Sequence, residues 1–174
     1  MNNIKIRKVT FSGLVQLQNI SRQTFLETFA EANTEEDMNK YLEKAFSLEK
    51  LTAELSDQDT EFYFALLNNE ISGYLKINLG EAQTDVNDDY SLEIERIYVL
   101  QEFKGKGIGK ALYTKATALA REKGLDYIWL GVWEHNHSAL SFYRYLGFEE
   151  FSRHIFMLGN DRQTDILMRI PLIN

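Results

Sequence analysis

The chain contains no cysteine. Disulfides, thiolate metal sites and a cysteine nucleophile are therefore excluded, and any thiol chemistry has to be brought in by a second molecule. Proline is nearly absent too: Pro171 is the single one in 174 residues. No internal repeat, low-complexity run or Gly/Ser-rich stretch marks a linker. No apolar run approaches the ~20 residues of a membrane span. The opening Met1-Asn2-Asn3-Ile4-Lys5-Ile6 lacks the basic-then-apolar build of a signal peptide. These absences lead us to expect a cytoplasmic protein without a membrane partner. Positive charge is in the minority, 19 Lys and Arg against 26 Asp and Glu, for a formal net charge of −7. Nucleic acid is therefore not the expected partner. A cationic substrate suits the balance through long-range steering, although solubility explains it equally well.

What is present points to a folded globule. Hydrophobic residues make up 44% of the chain and aromatics 13%, which is too apolar for a disordered chain. The length predicts a single domain over 1–174. Alternation over Ile4–Val9 predicts a half-buried strand. Ser12 is the expected N-cap of a first helix, carried by Leu14, Leu17, Ile20, Phe25 and Phe29 to about Ala32. Helices follow from Asn33 or Thr34 and from Ser47. Phe62–Leu67 and Ile71–Leu79 flank Asn68-Asn69, a hairpin signal. Residues 80–89 read as an acidic surface loop. Strands are expected at 92–100, 127–132, 148–158 and 164–170, with helices over 108–123 and from Asn136 to Leu146. The glycines at 124 and 147 end those two helices. Strands alternating with helices predict a three-layer α/β domain with a mixed sheet. The unit 92–132 should be a right-handed parallel crossover.

The most informative segment is Lys104-Gly105-Lys106-Gly107-Ile108-Gly109-Lys110. It follows the β-branched run Leu92–Leu100 and opens an amphipathic helix. Glycines leave backbone N–H groups uncovered. A helix start adds unpaired donors and the positive end of the dipole. Phosphate is the natural ligand of such a turn. The nucleotide P-loop does not fit: Gly105 and Gly109 are too close, and Ala111 stands where a magnesium-binding hydroxyl belongs. The dinucleotide fingerprint G-x-G-x-x-G does not fit the G-x-G-x-G spacing either.

The turn resembles the Q/R-x-x-G-x-G/A loop of the GNAT superfamily of N-acetyltransferases, with Lys104 in place of glutamine or arginine. A lysine there still donates to phosphate, as a point charge rather than a fork. Asn136-His137-Ser138-Ala139-Leu140-Ser141-Phe142-Tyr143, followed by Gly147-Phe148, resembles the same superfamily's N-x-x-A-x-x-F-Y-x-x-x-G-F segment. The runs Ser91–Val99 and Ile128–Glu134, the pairs Thr24-Phe25 and Thr28-Phe29, and Gln163-Thr164-Asp165 extend the likeness to PaiA-type spermidine/spermine acetyltransferases. The resemblance implies a three-layer α/β/α fold with a central mixed, mostly antiparallel sheet of six to seven strands.

It also implies transfer of an acetyl group from acetyl-CoA to a primary amine, a polyamine first, by direct attack. The alternatives are a protein N-terminal or lysine acetyltransferase, and a non-catalytic coenzyme A-binding regulatory module. Cofactor contacts would come from Ile97, Tyr98 and Val99, from Lys104, Gly105, Lys106, Gly107, Ile108, Gly109 and Lys110, and from Asn136 and Tyr143. Tyr143 would be the general acid; an ordinary core role beside Phe142 is the competing reading. Glu93 would be a base working through water, or a cation holder. Glu95, two residues on, faces the same side. Phe29, Glu31, Asn33, Trp133 and Glu134 are acceptor-side candidates. His135 and His137 lack a third ligand, so no metal is expected. His154 reads as structural or close to the acceptor mouth, and Trp129 as core. The oligomeric state is open, and a homodimer is compatible with the sequence.

Overall fold

The computed structural model describes residues 3–173. In chain order the elements are β1 (Ile4–Lys8), α1 (Leu14–Phe29), α2 (Glu35–Ala45), α3 (Leu48–Ser56), β2 (Thr60–Leu67), β3 (Glu70–Asn78), β4 (Ser91–Val99), α4 (Ile108–Glu122), β5 (Tyr127–Trp133), α5 (His137–Leu146), β6 (Glu149–Leu158) and β7 (Asp161–Pro171).

Local chemistry explains most boundaries. The Thr34 and Ser47 hydroxyls accept the N–H groups of Asp37 and Lys50, each at 3.1 Å, and start α2 and α3. Asn68 and Asn69 sit at φ of +52° and +72°, the left-handed pair that a two-residue hairpin between β2 and β3 needs. The first cap differs from expectation. Ser12 lies in a 3₁₀ turn over Phe11–Gly13, and its hydroxyl pairs with that of Thr10 at 2.9 Å, so Gly13 precedes α1 without a side-chain cap. The last hairpin is longer than expected: β7 begins at Asp161 rather than Thr164, and Pro171 closes the strand instead of lying beyond it.

The sheet has seven strands in the order β1-β2-β3-β4-β5-β7-β6. All neighbours are antiparallel except β4 and β5. The two faces are covered differently. Phe64 meets α1 at Gly13, where an added Cβ would sit 3.2 Å from its ring. Tyr63, its neighbour on β2, faces α4, with Lys115 Nζ 5.1 Å from its ring centroid. Gly73 on β3 also faces α4: a Cβ there would come within 2.7 Å of the Tyr98 carbonyl and 3.2 Å of Ile108. Glycine at that point lets α4 lie close on the sheet. Phe148, after α5, packs edge-on against Tyr113 of α4, so α5 shares that face.

Two irregularities in β4 shape the cavities of the molecule. Lys76 pairs with Arg96, yet the next residue, Ile77, pairs with Ile94, so Glu95 is an extra residue in the strand. Such a bulge turns neighbouring side chains to the same face. Glu93, Glu95, Arg96 and Tyr98 accordingly border one cavity. The second irregularity is a divergence. β4 and β5 pair only from Ser91 to Ile94 against Tyr127 to Leu130. Beyond that β4 follows β3 and β5 follows β7, and the sheet opens between them.

Candidate active site

A groove of about 450 Å³ runs along the outer half of β4 and across the start of α4. It is bordered by Ile97, Tyr98 and Val99, by Lys104, Gly105 and Gly107 to Lys110, and by Asn136, Phe142 and Tyr143. Gly105 and Gly107 hold φ of +78° and +85°, a region that side chains disfavour. Helix α4 starts at Gly107 without a side-chain cap, whereas α2, α3 and α5 are capped by Thr34, Ser47 and Asn136. The Ala111 N–H closes back to the Gly107 carbonyl at 3.1 Å. The N–H groups of Ile108, Gly109 and Lys110 precede the first intrahelical bond and face the dipole's positive end. An uncapped helix start on a glycine turn has the donors to accept a phosphate-like anion.

A second cavity, about 320 Å³, lies on the α1–α2 face. Phe25, Phe29, Tyr41, Phe46, Trp133 and Phe156 wall it, and Glu93, Glu95 and Asp165 bring carboxylates to it. Phe25 stacks on Tyr41 with ring centroids 4.3 Å apart, and Phe29 leans on Trp133 at 5.3 Å. Aromatic faces and carboxylates together favour a cation. A narrow space at the divergence of β4 and β5, the neck, shares Phe29, Glu95 and Gly131 with this cavity and Asn136 and Tyr143 with the groove, and Tyr98 borders all three. Tyr143 borders the groove and this neck; Glu95 borders the neck and the aromatic cavity.

The chain matches the model of the acetyltransferase (GNAT) family over residues 15–148. It belongs to that family. An uncharacterized N-acetyltransferase of Lactobacillus delbrueckii subsp. lactis is 43% identical over 99% of this chain and 100% of its own length. A spermidine N(1)-acetyltransferase of Thermoplasma acidophilum is 27% identical over 84% of this chain and 89% of its own. The crystal structure of the PaiA N-acetyltransferase from Thermoplasma acidophilum in complex with coenzyme A superposes with a TM-score of 0.80. It is 25% identical and covers 98% of this chain and 99% of that one. The protein is thus a GNAT-type N-acetyltransferase that uses acetyl-CoA, and its seven-stranded mixed sheet is the fold expected of that family.

The residues of the GNAT groove fit a coenzyme A diphosphate and pantetheine arm. The cradle donors are uncapped, and the open edge of β4 offers unpaired backbone to a peptide-like chain. Lys106 behaves differently from its neighbours: its ammonium rests 5.1 Å from the Phe103 ring centroid, and it does not border the groove. Tyr143 is buried, and burial pushes its phenol above the ordinary value. Asn136 caps α5, its Oδ1 accepting the Ala139 N–H at 3.2 Å.

Of the residues expected on the acceptor side, Phe29, Glu93, Glu95 and Trp133 border one cavity. Glu31 and Asn33 do not join them. They lie by Thr34, Asp37 and Asn160 at the start of α2, where Asn33 donates to the Phe29 carbonyl at 2.8 Å and accepts from Gln163 Nε2 at 2.6 Å. Glu134 follows Trp133 at the end of β5 and does not border the cavity; its carboxylate lies 3.5 Å from His135 Nε2. His135 and His137 are edge-on to each other, 6.4 Å apart. Among the described residues no group of three or more His, Asp or Glu is placed to hold a metal ion.

The two carboxylates of β4 are held in different ways. Glu93 is buried and accepts hydrogen bonds from Asn78 Nδ2 at 3.0 Å, from the Thr84 N–H at 2.9 Å and from the Thr84 hydroxyl. Burial pushes its carboxyl up against the pull of those bonds. Glu95 meets Lys76, Asn78 and Arg96. Burial raises its proton affinity, but the charges of Arg96 and Lys76 outweigh that and hold it below the ordinary value. The 80–89 loop is therefore no mere surface excursion. Gln83 is buried and accepts the Trp129 indole N–H and the Ser91 hydroxyl, each at 2.7 Å. Trp129, expected in the core, is buried and also borders the cavity.

Asp165 is visible in the sequence only as part of the family likeness. In the fold it stands in the cavity wall, and burial raises its pKa from 3.8 to about 6, with His154 pulling the other way. A raised folded-state pKa means the folded protein holds the proton more tightly than the unfolded chain. That stabilising difference is complete below pH 3.8 and is lost as pH rises through about 6. Asp165→Asn, which removes the buried charge, is therefore expected to raise the melting temperature near pH 7.5 and to leave it unchanged near pH 4. Differential scanning fluorimetry at the two pH values checks this; an equal shift at both would contradict it.

Proposed function

We propose that the protein acetylates a primary amine of a small cationic acceptor, a polyamine first among them. The observation that carries this reading is the aromatic cavity with Glu93, Glu95 and Asp165, joined through the neck to the groove that bears Tyr143. The likeness to a spermidine N(1)-acetyltransferase supports it. When bound, acetyl-CoA supplies the activated acyl group. The N–H groups from Gly105 to Lys110 meet its diphosphate, each charge–dipole contact contributing about 0.3–1 kcal/mol, so several must act together. The open edge of β4 at Ile97–Val99 aligns the pantetheine arm and turns an N–H toward the thioester carbonyl, where negative charge develops. Carboxylates and ring faces hold the acceptor's positive charge. Tyr143, kept protonated by burial, gives its proton to the leaving thiolate.

The test is an amine panel scored by release of free thiol from acetyl-CoA. Turnover of spermidine or spermine supports the polyamine reading. Turnover confined to peptides transfers the activity to a protein acceptor. Cofactor binding without any turnover favours a non-catalytic module.

A further inference from the structure

The acceptor nitrogen arrives protonated and must lose two protons in all, one before attack and one as the amide forms. If the protein is an amine acetyltransferase, as proposed, some group must take the first. Glu93, the base that the family likeness implies, is already engaged at both oxygens by Asn78 and Thr84. Glu95 is tied to Lys76 and Asn78. The third carboxylate of the cavity is different. Among the described residues nothing donates a hydrogen bond to Asp165, and the nearest cation-forming group is His154, whose Nε2 lies 3.8 Å from Asp165 Oδ2. The other nitrogen of that ring, Nδ1, is 2.6 Å from Asp85 Oδ2.

Three groups from β7, β6 and the 80–89 loop thus form a row from cavity to surface. Asp165 and His154 border the cavity, and Asp85 is exposed. The inner end lies beside the neck. Gly131 borders both the cavity and the neck, and a Cβ placed on it would be 3.6 Å from Asp165 Oδ2. The missing side chain leaves the carboxylate open toward the point where the two substrates meet.

We propose that this row is the proton exit for the acceptor: Asp165 takes the ammonium proton, and His154, oriented by Asp85, passes it to solvent. In the first step an N–H bond of the ammonium breaks and an O–H bond forms on Asp165. Asp165 then loses that proton to His154 Nε2, and the imidazolium gives one to water. The neutral amine forms the N–C bond as the C–S bond breaks. The second nitrogen proton replaces the one that Tyr143 delivers to sulfur, so one proton in total leaves to solvent. The 3.8 Å separation closes by side-chain rotation or through one water, as catalytic contacts do when substrate binds. Asp85 is a positioning residue, holding the ring in the tautomer that leaves Nε2 free. The other charged or titratable groups that border the cavity with Asp165 are Tyr41 from α2 and Glu93, Glu95, Arg96 and Tyr98 from β4.

The experiment measures kcat and kcat/KM from about pH 5 to about pH 9, with the amine that the panel identifies. Wild-type activity should fall on the acid side as Asp165 takes up a proton, at about pH 6. Asp165→Asn should remove that limb and lower kcat ~100-fold or more, with coenzyme A affinity unchanged by calorimetry. Asp85→Asn should shift the limb and lower kcat by a smaller factor. If Asp165→Asn keeps both limb and kcat, or loses kcat only in proportion to coenzyme A affinity, the relay is wrong. Should that variant fail to fold, His154→Gln decides: an unmoved limb and unchanged kcat overturn the proposal. A second readout needs no turnover. The ¹³C resonance of the Asp165 carboxyl should titrate at higher pH in His154→Gln, because the imidazolium favours the carboxylate. An unmoved titration defeats the relay. A shifted one beside a silent amine panel faults the amine reading alone.

Discussion

Gly107→Val is expected to weaken coenzyme A binding ~100-fold or more, read by calorimetry, while the protein stays folded. The cause lies in the backbone. Gly107 has φ +85° and ψ 6°, the left-handed region, at the residue that starts α4. A β-branched residue in that region costs about 1–2 kcal/mol and is relieved by turning the peptide over. The turn then no longer aims the N–H groups of Ile108, Gly109 and Lys110 at one point. Hydrogen bonds to a charged group contribute roughly 1.5–3 kcal/mol each, so losing two is enough for the stated effect. Packing is not the cause, since among the described residues a Cβ at Gly107 meets only Ile4 Cδ1, at 3.9 Å. Gly109→Ala is the control. That residue does not have a positive φ, and its added Cβ makes ordinary contact with Phe142 at 3.7 Å. Its affinity should change far less. Equal affinities for wild type and Gly107→Val would remove the cradle as the diphosphate site.

Tyr143→Phe is expected to lower kcat by ~100-fold or more and to leave coenzyme A affinity within about twofold. The phenol is buried at the junction of groove and neck. Its ring packs edge-on against Phe142 and Phe148, with centroids 5.3 and 5.4 Å away. Phenylalanine keeps those contacts, so the fold is preserved and only the proton donor is removed. The loss should be smallest with thioesters whose thiol is more acidic, because such a thiolate needs no proton to leave. A variant with wild-type kcat would return Tyr143 to an ordinary core role.

Reading the chain residue by residue finds those features that neighbours determine. Thr34 and Ser47 cap helices because a hydroxyl reaches an N–H three residues on. Asn68-Asn69 makes a hairpin because both residues tolerate positive φ. The turn from Lys104 to Lys110 shows itself by glycine spacing alone. Of the candidates that the family likeness suggests, Phe29, Glu93, Glu95 and Trp133 border one cavity, whereas Glu31, Asn33 and Glu134 do not. Nothing local announces the buried contacts of Gln83 and Thr84, since a polar acidic stretch such as 80–89 carries no mark of what it covers. Ser12 misleads for a related reason: a cap signal does not reveal that Thr10 offers a competing partner.

The order of elements, the glycine turn and the GNAT kinship are thus legible in the chain itself, because short-range φ/ψ preferences and fixed spacings carry them. The aromatic cavity is a product of the assembled fold. Its walls come from α1, α2, β4, β5, β6, β7 and the 80–89 loop, brought together across the sheet. The extra residue at Glu95 turns Arg96 to the same face, and the parting of β4 from β5 opens the neck. Register and divergence are set by how whole strands twist and pack against one another, so no short window of residues encodes them.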